Sequence, residues 1–479
     1  MNYRITFLII VSSLLMMVSA YVIAMLANRR SKHNEEDWAI GGRDLPIYVI
    51  IGTQFASCFG GGIMVAQVGN AYAGGYSVLI YGFYISLVFF LFMIPAKWLR
   101  RNNFTTIPDI LTHFSRCTSK RVIIFAAIMA LVTPFGWICS QLTAFAKMYT
   151  TVTGIPIPLL IIAVSIFSLF LVMPSGMKTV AWTDFVFSCF ILIMCGAVLI
   201  WVLTQAGGIQ HVMAAVPQEN VTFPAFVNKM GWTTMVLWLF TIFPGNLTNQ
   251  LYIQRVCAID HVQGVNKSLA ITGVLSFLSF MWACIIGLCV YTLHPALEEG
   301  EMATGWLLTQ MPVPLMVTFA GLLVAAIMST VSSAVQSVVV NITRDLYMVA
   351  VPDSTAERRL KLSKVFTVVV MAVSCLLSTQ FTNVLGWFTY SYTFSAAALF
   401  FPIFLSYFLR KKKIITEQGI FHGMVWGVVA CIIAYATGTS IPAVVFGLAA
   451  SLVALLCVSC VTRKPEEMDE LPDNVTGIA

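Results

Sequence analysis

Four hydroxyl side chains lie close together within an apolar stretch of the sequence. They are Ser329, Thr330, Ser332 and Ser333, and they fall within about one helical turn. Ser329 shares a helix face with Ser332 and Ser333, because residues three and four positions apart point the same way. Hydroxyl and carbonyl oxygens suit hard cations. Taken alone, such hydroxyls more often bond back to carbonyls of their own helix. Beside a broken helix that frees carbonyl oxygens, the cluster predicts a sodium site.

One acidic residue, Asp184, lies in a second apolar stretch, in the sequence Trp182-Thr-Asp184. A carboxylate within a membrane is costly and indicates a function by default. Two interpretations stay open: a group in a transport path, or an interfacial acid that reaches cytoplasmic water. Lys147, near the end of another apolar stretch, is interpreted as a side chain that reaches water.

Catalytic signatures are missing from the sequence. We find no nucleophile–base pair, no zinc-protease motif and no phosphate-binding glycine loop. The six histidines have no metal-ligand spacing. The sequence therefore predicts that the protein is not an enzyme and has no cofactor, with sodium as its only metal ion.

The elements that would position these residues are long apolar segments. Hydrophobic residues make up 59% of the 479 residues and charged residues 10%, too few charges for a water-soluble protein of this length. Runs of about 20 residues can cross a bilayer as helices. The sequence therefore predicts an all-α polytopic membrane protein, with a first span that is a helix rather than a signal peptide. The expected spans, about thirteen, are 4–26, 46–72, 76–96, 122–149, 157–174, 179–204, 230–250, 268–292, 312–343, 365–382, 384–408, 419–437 and 440–461.

Basic residues are distributed unevenly between the loops. With the N-terminus outside, all but three of the 27 lysine and arginine residues fall on the cytoplasmic side; the exceptions are Arg4, Lys147 and Lys229. This bias sets orientation by the positive-inside rule. We therefore expect the N-terminus outside and the C-terminus in the cytoplasm. The net charge of +7 then reflects topology rather than nucleic-acid binding.

Two spans carry helix-breaking residues. Span 2 contains Gly60–Gly62 near its middle, and span 7 contains Pro244-Gly245 followed by the polar run Asn246–Gln250. Open backbone at this depth is tolerated only within protein or beside a cavity. Breaks in corresponding positions indicate a transporter with a binding site near the middle of the membrane. Taken singly, a close-packing glycine face and a proline kink are the alternatives.

The two broken spans run in opposite directions with four spans between them. This order predicts two five-span units related by inversion, each beginning with a broken helix. The expected parts are a first helix and loop (1–45), a first repeat (46–204), a second repeat (205–408), two C-terminal helices (409–461) and a cytoplasmic tail (462–479).

Several short motifs occur in a fixed order between residues 35 and 410. They are Gly41–Pro46, Gly60–Gly62, Trp182–Asp184, Gln254-Arg255, and Ala325–Ser333 followed by Arg344–Tyr347. In this order and spacing they resemble the sodium/solute symporter family, the group of the sodium–glucose, proline, pantothenate, sialic acid and choline transporters. The resemblance implies an inverted five-plus-five fold and sodium-coupled import of an organic solute by alternating access.

The resemblance also implies positions for sodium. The family's common sodium site maps to the hydroxyls of Ser329 and Thr330 and the carbonyls of Ala326, Phe55 and Cys58. Some members hold a second sodium ion, whose ligands correspond here to Asp184, Ser329, Ser332 and Ser333. One sodium ion and two sodium ions both stay open.

The local sequence is most similar to the choline-transporter branch, in Arg43–Leu45, Gly60–Gly62 and Tyr252–Arg255. Trp137 corresponds to one aromatic residue of a choline cage, but Cys58 and Asn249 stand where two others would be. The sequence therefore favours a small polar or zwitterionic solute. The residues expected to contact it are Gln54, Ser57, Phe59, Trp137, Thr248, Asn249 and Gln250.

Two other functions stay open at this point. One is a proton-coupled transporter on the same fold, with Asp184 as the proton carrier, and the other is a membrane sensor of a solute. We expect an integral protein of the plasma membrane, which is the inner membrane in a bacterium. The expected partners are sodium, a small organic solute and lipid, with no nucleic acid, and a monomer suffices for such a site.

Overall fold

The computed structural model describes residues 3–29, 35–115, 119–172, 176–412 and 414–463. These residues form helices, with one isolated parallel bridge between Leu45 and Ile259. The main helices are α1 (Tyr3–Asn28), α2 (Ile47–Cys58), α3 (Gly62–Gly74), α4 (Ser77–Arg101), α5 (Lys120–Thr153), α6 (Ile157–Val172), α7 (Met177–Gln205), α8 (Trp232–Leu247), α9 (Gln250–Ala258), α10 (Gly264–Leu293), α11 (Val313–Val340), α12 (Ala356–Gln380), α13 (Val384–Leu409), α14 (Glu417–Thr437) and α15 (Ala443–Thr462).

Shorter helical segments connect the main helices. They are Glu35–Ile40, Gly41–Arg43, Ile107–Ser115, Ile209–Ala215, Gln218–Val221, Ala225–Met230, Gly300–Met302, Ala303–Gln310, Asn341–Tyr347, Met348–Ala350 and Arg410–Lys412.

Each predicted span overlaps a helix or, for span 2, the bent pair α2–α3, and the all-α membrane class is confirmed. Ten helices of the described residues are long and apolar enough to cross a membrane, and the bent pair α2–α3 makes an eleventh. The helices α6 and α8 have only 16 residues each, so length and composition do not confirm the count of thirteen. The boundaries of the five predicted parts stay a prediction. Arg30, Lys32, Arg116, Lys413 and the tail from residue 464 lie outside the described residues.

The predicted break in span 2 is confirmed. The helix α2 ends at Cys58, α3 begins at Gly62, and the two are bent by 48°. The side chain of Gln141 on α5 accepts a hydrogen bond of 2.6 Å from the amide of Gly61, which satisfies a donor that the broken helix leaves free. A Cβ atom at Gly60 would lie 2.5 Å from the Thr330 hydroxyl oxygen, so the glycine permits close approach of α11.

Span 7 is also broken, but three residues beyond the expected point. Pro244 and Gly245 remain within α8, which continues to Leu247. Asn249 then caps a new helix, α9, because its side-chain oxygen accepts a hydrogen bond of 3.1 Å from the amide of Leu251. The N-cap, rather than the proline, therefore sets where α9 begins.

The helix α11 lies at the centre of the molecule. In its most apolar stretch of 18 residues 83% are buried, against 22% in the corresponding stretch of α1. The helix α11 contacts α2, α5, α7 and α9. The helices α14 and α15 pack mainly against each other and against α13. Both broken helices are thus held against one buried helix that carries the hydroxyl cluster.

Candidate sodium and solute sites

The hydroxyl cluster of α11 faces the last turn of α2. The Ser329 hydroxyl lies 2.9 Å from the carbonyl oxygen of Ala326 and 3.3 Å from that of Ala56. The Thr330 hydroxyl lies 3.1 Å from the Ala326 carbonyl and 3.3 Å from the Ser57 carbonyl. Both side chains are buried. The hydroxyls thus bond back to their own helix and also reach the break, giving five neutral oxygens of the kind that a hard cation prefers.

The carbonyls that α2 presents are not those expected from the resemblance. Phe55 and Cys58 were expected, but the hydroxyls reach Ala56 and Ser57, which lie between them. The Phe55 carbonyl accepts a hydrogen bond of 2.9 Å from the amide of Phe59 at the end of the helix. The assignment of the Phe55 and Cys58 carbonyls as sodium ligands stays a prediction.

Asp184 lies in the interior and is fully buried, so its interpretation as an interfacial acid is wrong. Its Oδ2 accepts hydrogen bonds from Thr53 at 2.6 Å and from Ser333 at 3.0 Å. Among the hydroxyls expected to join it in a second sodium site, Ser332 instead donates to the Ser329 carbonyl at 3.0 Å. A second buried carboxyl that the sequence analysis missed, Asp345, accepts from Thr106 at 2.9 Å.

A buried arginine lies beside Asp184. Arg255 on α9 is 0% exposed, and its Nη2 lies 3.6 Å from the Asp184 carboxylate. The charge count had placed Arg255 in a cytoplasmic loop, and this was wrong because all nine residues of α9 are buried. A signal was present in the sequence: a lone carboxylate in an apolar interior requires a cation, and Arg255 follows a predicted break.

A cavity lies between the two helix breaks. Its volume is about 40 Å³, which is room for a few waters or a small solute. Its lining residues are Ser57, Cys58, Gly62, Ile63, Gln67, Tyr81, Ile85, Trp137, Gln141, Asn246, Tyr252, Phe280, Phe388 and Tyr392. Among the described residues no charged side chain lines it.

Aromatic side chains form much of this lining. The Trp137 indole donates to the Tyr392 hydroxyl at 2.9 Å, and that hydroxyl donates to Asn246 at 3.2 Å. The Tyr252 hydroxyl lies 3.1 Å from the Cys58 sulfur. The ring of Phe388 lies 5.9 Å from that of Trp137. Aromatic rings on α9 and α13 therefore line the cavity, although Cys58 and Asn249 are not aromatic. Tyr252 belongs to the run Tyr252–Arg255 that resembles the choline branch, whereas Phe388 and Tyr392 belong to no motif.

Of the seven residues predicted to contact the solute, Ser57 and Trp137 line the cavity. The other five contact protein groups instead. Gln54 accepts from Thr272, Phe59 packs on Trp282, Thr248 bonds Ser395, Asn249 caps α9, and Gln250 bonds the backbone of Thr105 and Ile107.

A second, wider cavity lies further along α3, beside Gly69, Asn70 and Ala73, on the side predicted to face outward. Lys147 at its wall forms ion pairs of 2.9 Å with Glu299 and 2.7 Å with Glu301. Glu301 also accepts a hydrogen bond of 3.3 Å from the amide of Leu385, at the start of α13. The Lys147 side chain is 8% exposed, but its ammonium group lies at the wall of this cavity and pairs with Glu299, which is 63% exposed, so its interpretation as a group that reaches water stays a prediction.

Two interrupted helices that meet around a buried cavity define a secondary transporter. The model of the sodium:solute symporter family matches residues 38–427, so the chain belongs to this family. It is 26% identical to a sodium/sialic acid symporter of Aliivibrio fischeri over 75% of either chain. It is also 21% identical to a sodium/glucose cotransporter of Vibrio parahaemolyticus (82% of this chain, 78% of the relative) and 23% identical to a high-affinity proline transporter of Bacillus subtilis (93% and 96%).

Solved structures show the same fold. A sodium-coupled sialic acid symporter in its substrate-bound outward-open state superposes with a TM-score of 0.81 at 18% identity, over 95% of this chain and 97% of that one. A closed nucleobase-cation-symport-1 transporter gives a TM-score of 0.60 at 16% identity, over 92% and 98%. The protein is a sodium-coupled solute symporter and not an enzyme. The resemblance to the choline branch stays a prediction.

Proposed function

We propose that the protein imports a small solute of no net charge, neutral or zwitterionic, together with sodium. The observation that supports this is the lining of the central cavity, which combines aromatic rings with the amides of Gln67, Gln141 and Asn246 and three tyrosine hydroxyls, and no charged side chain among the described residues. A net charge buried there would lack a partner, at a large cost in free energy. Hydrogen bonds to hydroxyl and amide groups fit a polar solute of no net charge.

The proposed sodium site consists of the hydroxyls of Ser329 and Thr330 with the carbonyls of Ala326, Ala56 and Ser57. The distances between the hydroxyls and these carbonyls, from 2.9 to 3.4 Å, support it. The proposed solute site consists of Ser57, Trp137, Gln141, Asn246, Tyr252 and Tyr392. Gln54, Phe59, Thr248, Asn249 and Gln250 have structural roles in this proposal.

The transport step follows from this geometry. Sodium bound between α2 and α11 fixes the end of α2, which also forms the cavity wall, so each ligand favours the conformation that the other favours. We place the protein in a plasma membrane. Its N-terminus and the Lys147 cavity face outward and its C-terminus faces the cytoplasm, since this agrees with the positive-inside rule. The central site then opens alternately to the outside and to the cytoplasm.

A thermal-shift screen of the purified protein tests the proposal. The panel contains sugars, zwitterionic amino acids, quaternary ammonium compounds and carboxylates, each in sodium and in potassium. We expect a neutral or zwitterionic compound to raise the melting temperature in sodium alone, because only a ligand of the folded state stabilises it. Stabilisation by an organic anion or cation alone, or equal stabilisation in potassium, would contradict the proposal.

Proton coupling is tested separately with the compound that the screen identifies. Uptake into proteoliposomes is measured without sodium under an inward proton gradient. We expect no uptake above background, since the Asp184 carboxylate is held beside a permanently charged guanidinium. Concentrative uptake under these conditions would favour the proton-coupled alternative.

A further inference from the structure

A cluster of rings lies between the C-terminal ends of α4 and α13. The ring of Trp98 on α4 stacks on Phe114, with 5.2 Å between the ring centroids and 9° between the planes. It also lies 5.7 Å from the ring of His113 and 5.2 Å from that of Tyr407 on α13. The guanidinium carbon of Arg410 lies 4.0 Å from the centre of the Tyr407 ring. Three nitrogen-bearing side chains are thus held around one cluster.

Each of these three side chains has a buried nitrogen without a hydrogen-bond partner among the described residues. The atoms are Nε1 of Trp98, Nε2 of His113 and Nε of Arg410. Trp98 itself is only 6% exposed. An indole N–H and a guanidinium N–H can only donate, and buried donors are rarely left unpaired in folded proteins. The cluster therefore lacks an acceptor, and the imidazole of His113 can donate to the same acceptor in one of its tautomers.

The charge around the cluster is positive. Arg410 begins the basic run Arg410–Lys412 and forms no ion pair among the described residues. Lys97 on α4 is exposed at the same end of the helix. The acid of the connecting helix, Asp109, lies one turn before the histidine and pairs with Arg344 at 3.4 Å. The missing acceptor is therefore expected to be an anion, because a neutral acceptor would leave the arginine charge without a partner.

An apolar strip leads from the cluster toward the middle of the membrane. Phe90 and Ile94 lie two turns and one turn before Trp98 on the same face of α4, and they are 41% and 52% exposed. Phe408 on α13 is 57% exposed. The two helices meet here, because the Tyr407 hydroxyl donates to the Ile94 carbonyl at 3.2 Å. A ligand with an anionic head and an apolar chain fits this surface better than a free anion, which would leave the strip unused.

We propose that Trp98, His113 and Arg410 bind the phosphate of an anionic phospholipid, whose acyl chains lie along Ile94 and Phe408. The phosphate oxygens accept from the indole and from the guanidinium, and the hydrogen bond to the guanidinium is charge-assisted. Basic clusters at the cytoplasmic ends of membrane helices attract anionic lipids. The site does not depend on the proposed sodium and solute sites, and only its placement in the inner leaflet rests on the proposed orientation.

The bound lipid has a consequence for the transport step. The helices α4 and α13 both line the solute cavity, through Tyr81 and Tyr392. A phosphate held by Trp98 at the end of α4 and by Arg410 at the end of α13 restrains the separation of these two ends. The rate of uptake is therefore expected to depend on anionic lipid, whereas sodium and solute are bound elsewhere.

Native mass spectrometry of the purified protein in neutral detergent, titrated with phosphatidylglycerol, tests the inference. We expect one tightly bound lipid per wild-type protein. Arg410→Gln should weaken its affinity about tenfold, because a hydrogen bond to a charged group is lost. Lys97→Gln is the matched control: it removes the same charge from the same end of the membrane domain, and we expect a change within about twofold, as for an exposed charge. Equal losses in the two variants would overturn the site, since they would show unspecific attraction.

A third variant and two further probes test the donor set and the kind of ligand. Trp98→Phe keeps a stacked ring and removes the indole N–H, and we expect affinity to fall about threefold to tenfold. Phosphatidylcholine, which has no net charge, should bind at least about tenfold more weakly than phosphatidylglycerol, and millimolar inorganic phosphate should not displace it. Unchanged affinity in Trp98→Phe, equal binding of the two lipids, or displacement by inorganic phosphate would overturn the proposal. If a variant does not fold, the comparison of the two lipids on the wild-type protein still decides.

Discussion

The carbonyl oxygen of Ser57 lies 3.3 Å from the hydroxyl of Thr330, and Ser57 also lines the solute cavity. One residue at the end of α2 thus contacts both proposed ligand sites. Whatever fixes its backbone for sodium also fixes its side chain for the solute. This shared residue gives a direct physical route for coupling, and thermodynamic linkage requires that it act in both directions.

The first prediction concerns the Thr330 hydroxyl. Thr330→Ala removes one of five proposed sodium ligands, and we expect the sodium concentration for half-maximal uptake to rise about tenfold, equivalent to about 1.4 kcal/mol. By linkage the solute KM measured at low sodium should rise as well. Thr318→Ala on the same helix is the control, because Thr318 is exposed and bonds only the Pro314 carbonyl in the described residues. Unchanged sodium dependence in Thr330→Ala would reject this ligand.

The second prediction concerns the glycine break of α2. A Cβ atom at Gly60 would lie 2.5 Å from the Thr330 hydroxyl oxygen and 2.6 Å from Gln141 Oε1. Gly60→Ala must therefore push aside the Thr330 hydroxyl, a proposed sodium ligand, or the Gln141 side chain, which accepts from the Gly61 amide. We expect sodium-dependent uptake to fall at least about tenfold, since overpacking of this kind costs about 1–3 kcal/mol. Gly196→Ala is the matched control, because nothing lies within 4 Å of a Cβ atom there. Uptake in Gly60→Ala equal to that in Gly196→Ala would contradict the close approach.

Much of the fold could be predicted from the sequence, because membrane burial leaves strong local signals. Apolar runs gave the helices, and Gly60–Gly62 gave the break in span 2. The break in span 7 was displaced to Thr248 and Asn249, since the N-cap hydrogen bond of Asn249 is a contact that composition does not reveal. The helices α6 and α8 coincide with predicted spans, but with 16 residues each they are shorter than the helices that length and composition identify as membrane-crossing.

The candidate site was less predictable, because its walls come from residues far apart in sequence. Ser329 and Thr330 were found from their spacing, and Trp137 from the family resemblance. Tyr252 belongs to a run that resembles the choline branch but was not predicted to contact the solute, and Phe388 and Tyr392 belong to no motif. Packing across the breaks brings all three to the cavity. Arg255 was not predicted as a buried residue for a different reason. Basic residues were counted as loop charges, although one of them was needed to neutralise the negative charge of Asp184.

The third prediction concerns the ion pairs between Lys147 and the two glutamates. They link α5 to the loop before α11 and, through Glu301, to the first turn of α13. If they close the outer cavity, Lys147→Gln should shift the protein toward the state open to the outside. External sodium binds that state, so we expect its half-saturating concentration to fall by up to about fivefold, corresponding to about 1 kcal/mol of lost pairing.

The measurement is uptake as a function of external sodium in right-side-out vesicles. Lys229→Gln is the control, since Lys229 also pairs with a glutamate, Glu219, but at an exposed position. A higher half-saturating sodium concentration in Lys147→Gln would show that the ion pairs do not hold the outer side closed.

The fourth prediction concerns the hydroxyl of Tyr392, which accepts from the Trp137 indole and donates to Asn246. Tyr392→Phe keeps the ring and leaves two buried polar groups without a partner, which costs about 1–3 kcal/mol. Part of this cost is relieved when the side chains of Trp137 and Asn246 move away from their positions at the cavity wall. We therefore expect the solute KM to rise about fivefold to twentyfold. Sodium binding without solute should stay within about twofold, because Tyr392 does not contact the proposed sodium ligands.

Tyr390→Phe on the same helix provides the comparison, since Tyr390 is exposed and does not line the cavity. Uptake kinetics with the identified solute and sodium binding without it are measured in parallel for both variants. A loss of sodium affinity equal to the loss of solute affinity in Tyr392→Phe would indicate general damage to the fold. A selective rise in the solute KM would instead place the solute against the hydrogen-bonded wall formed by Trp137, Tyr392 and Asn246, because only a ligand in that cavity senses the orientation of these groups.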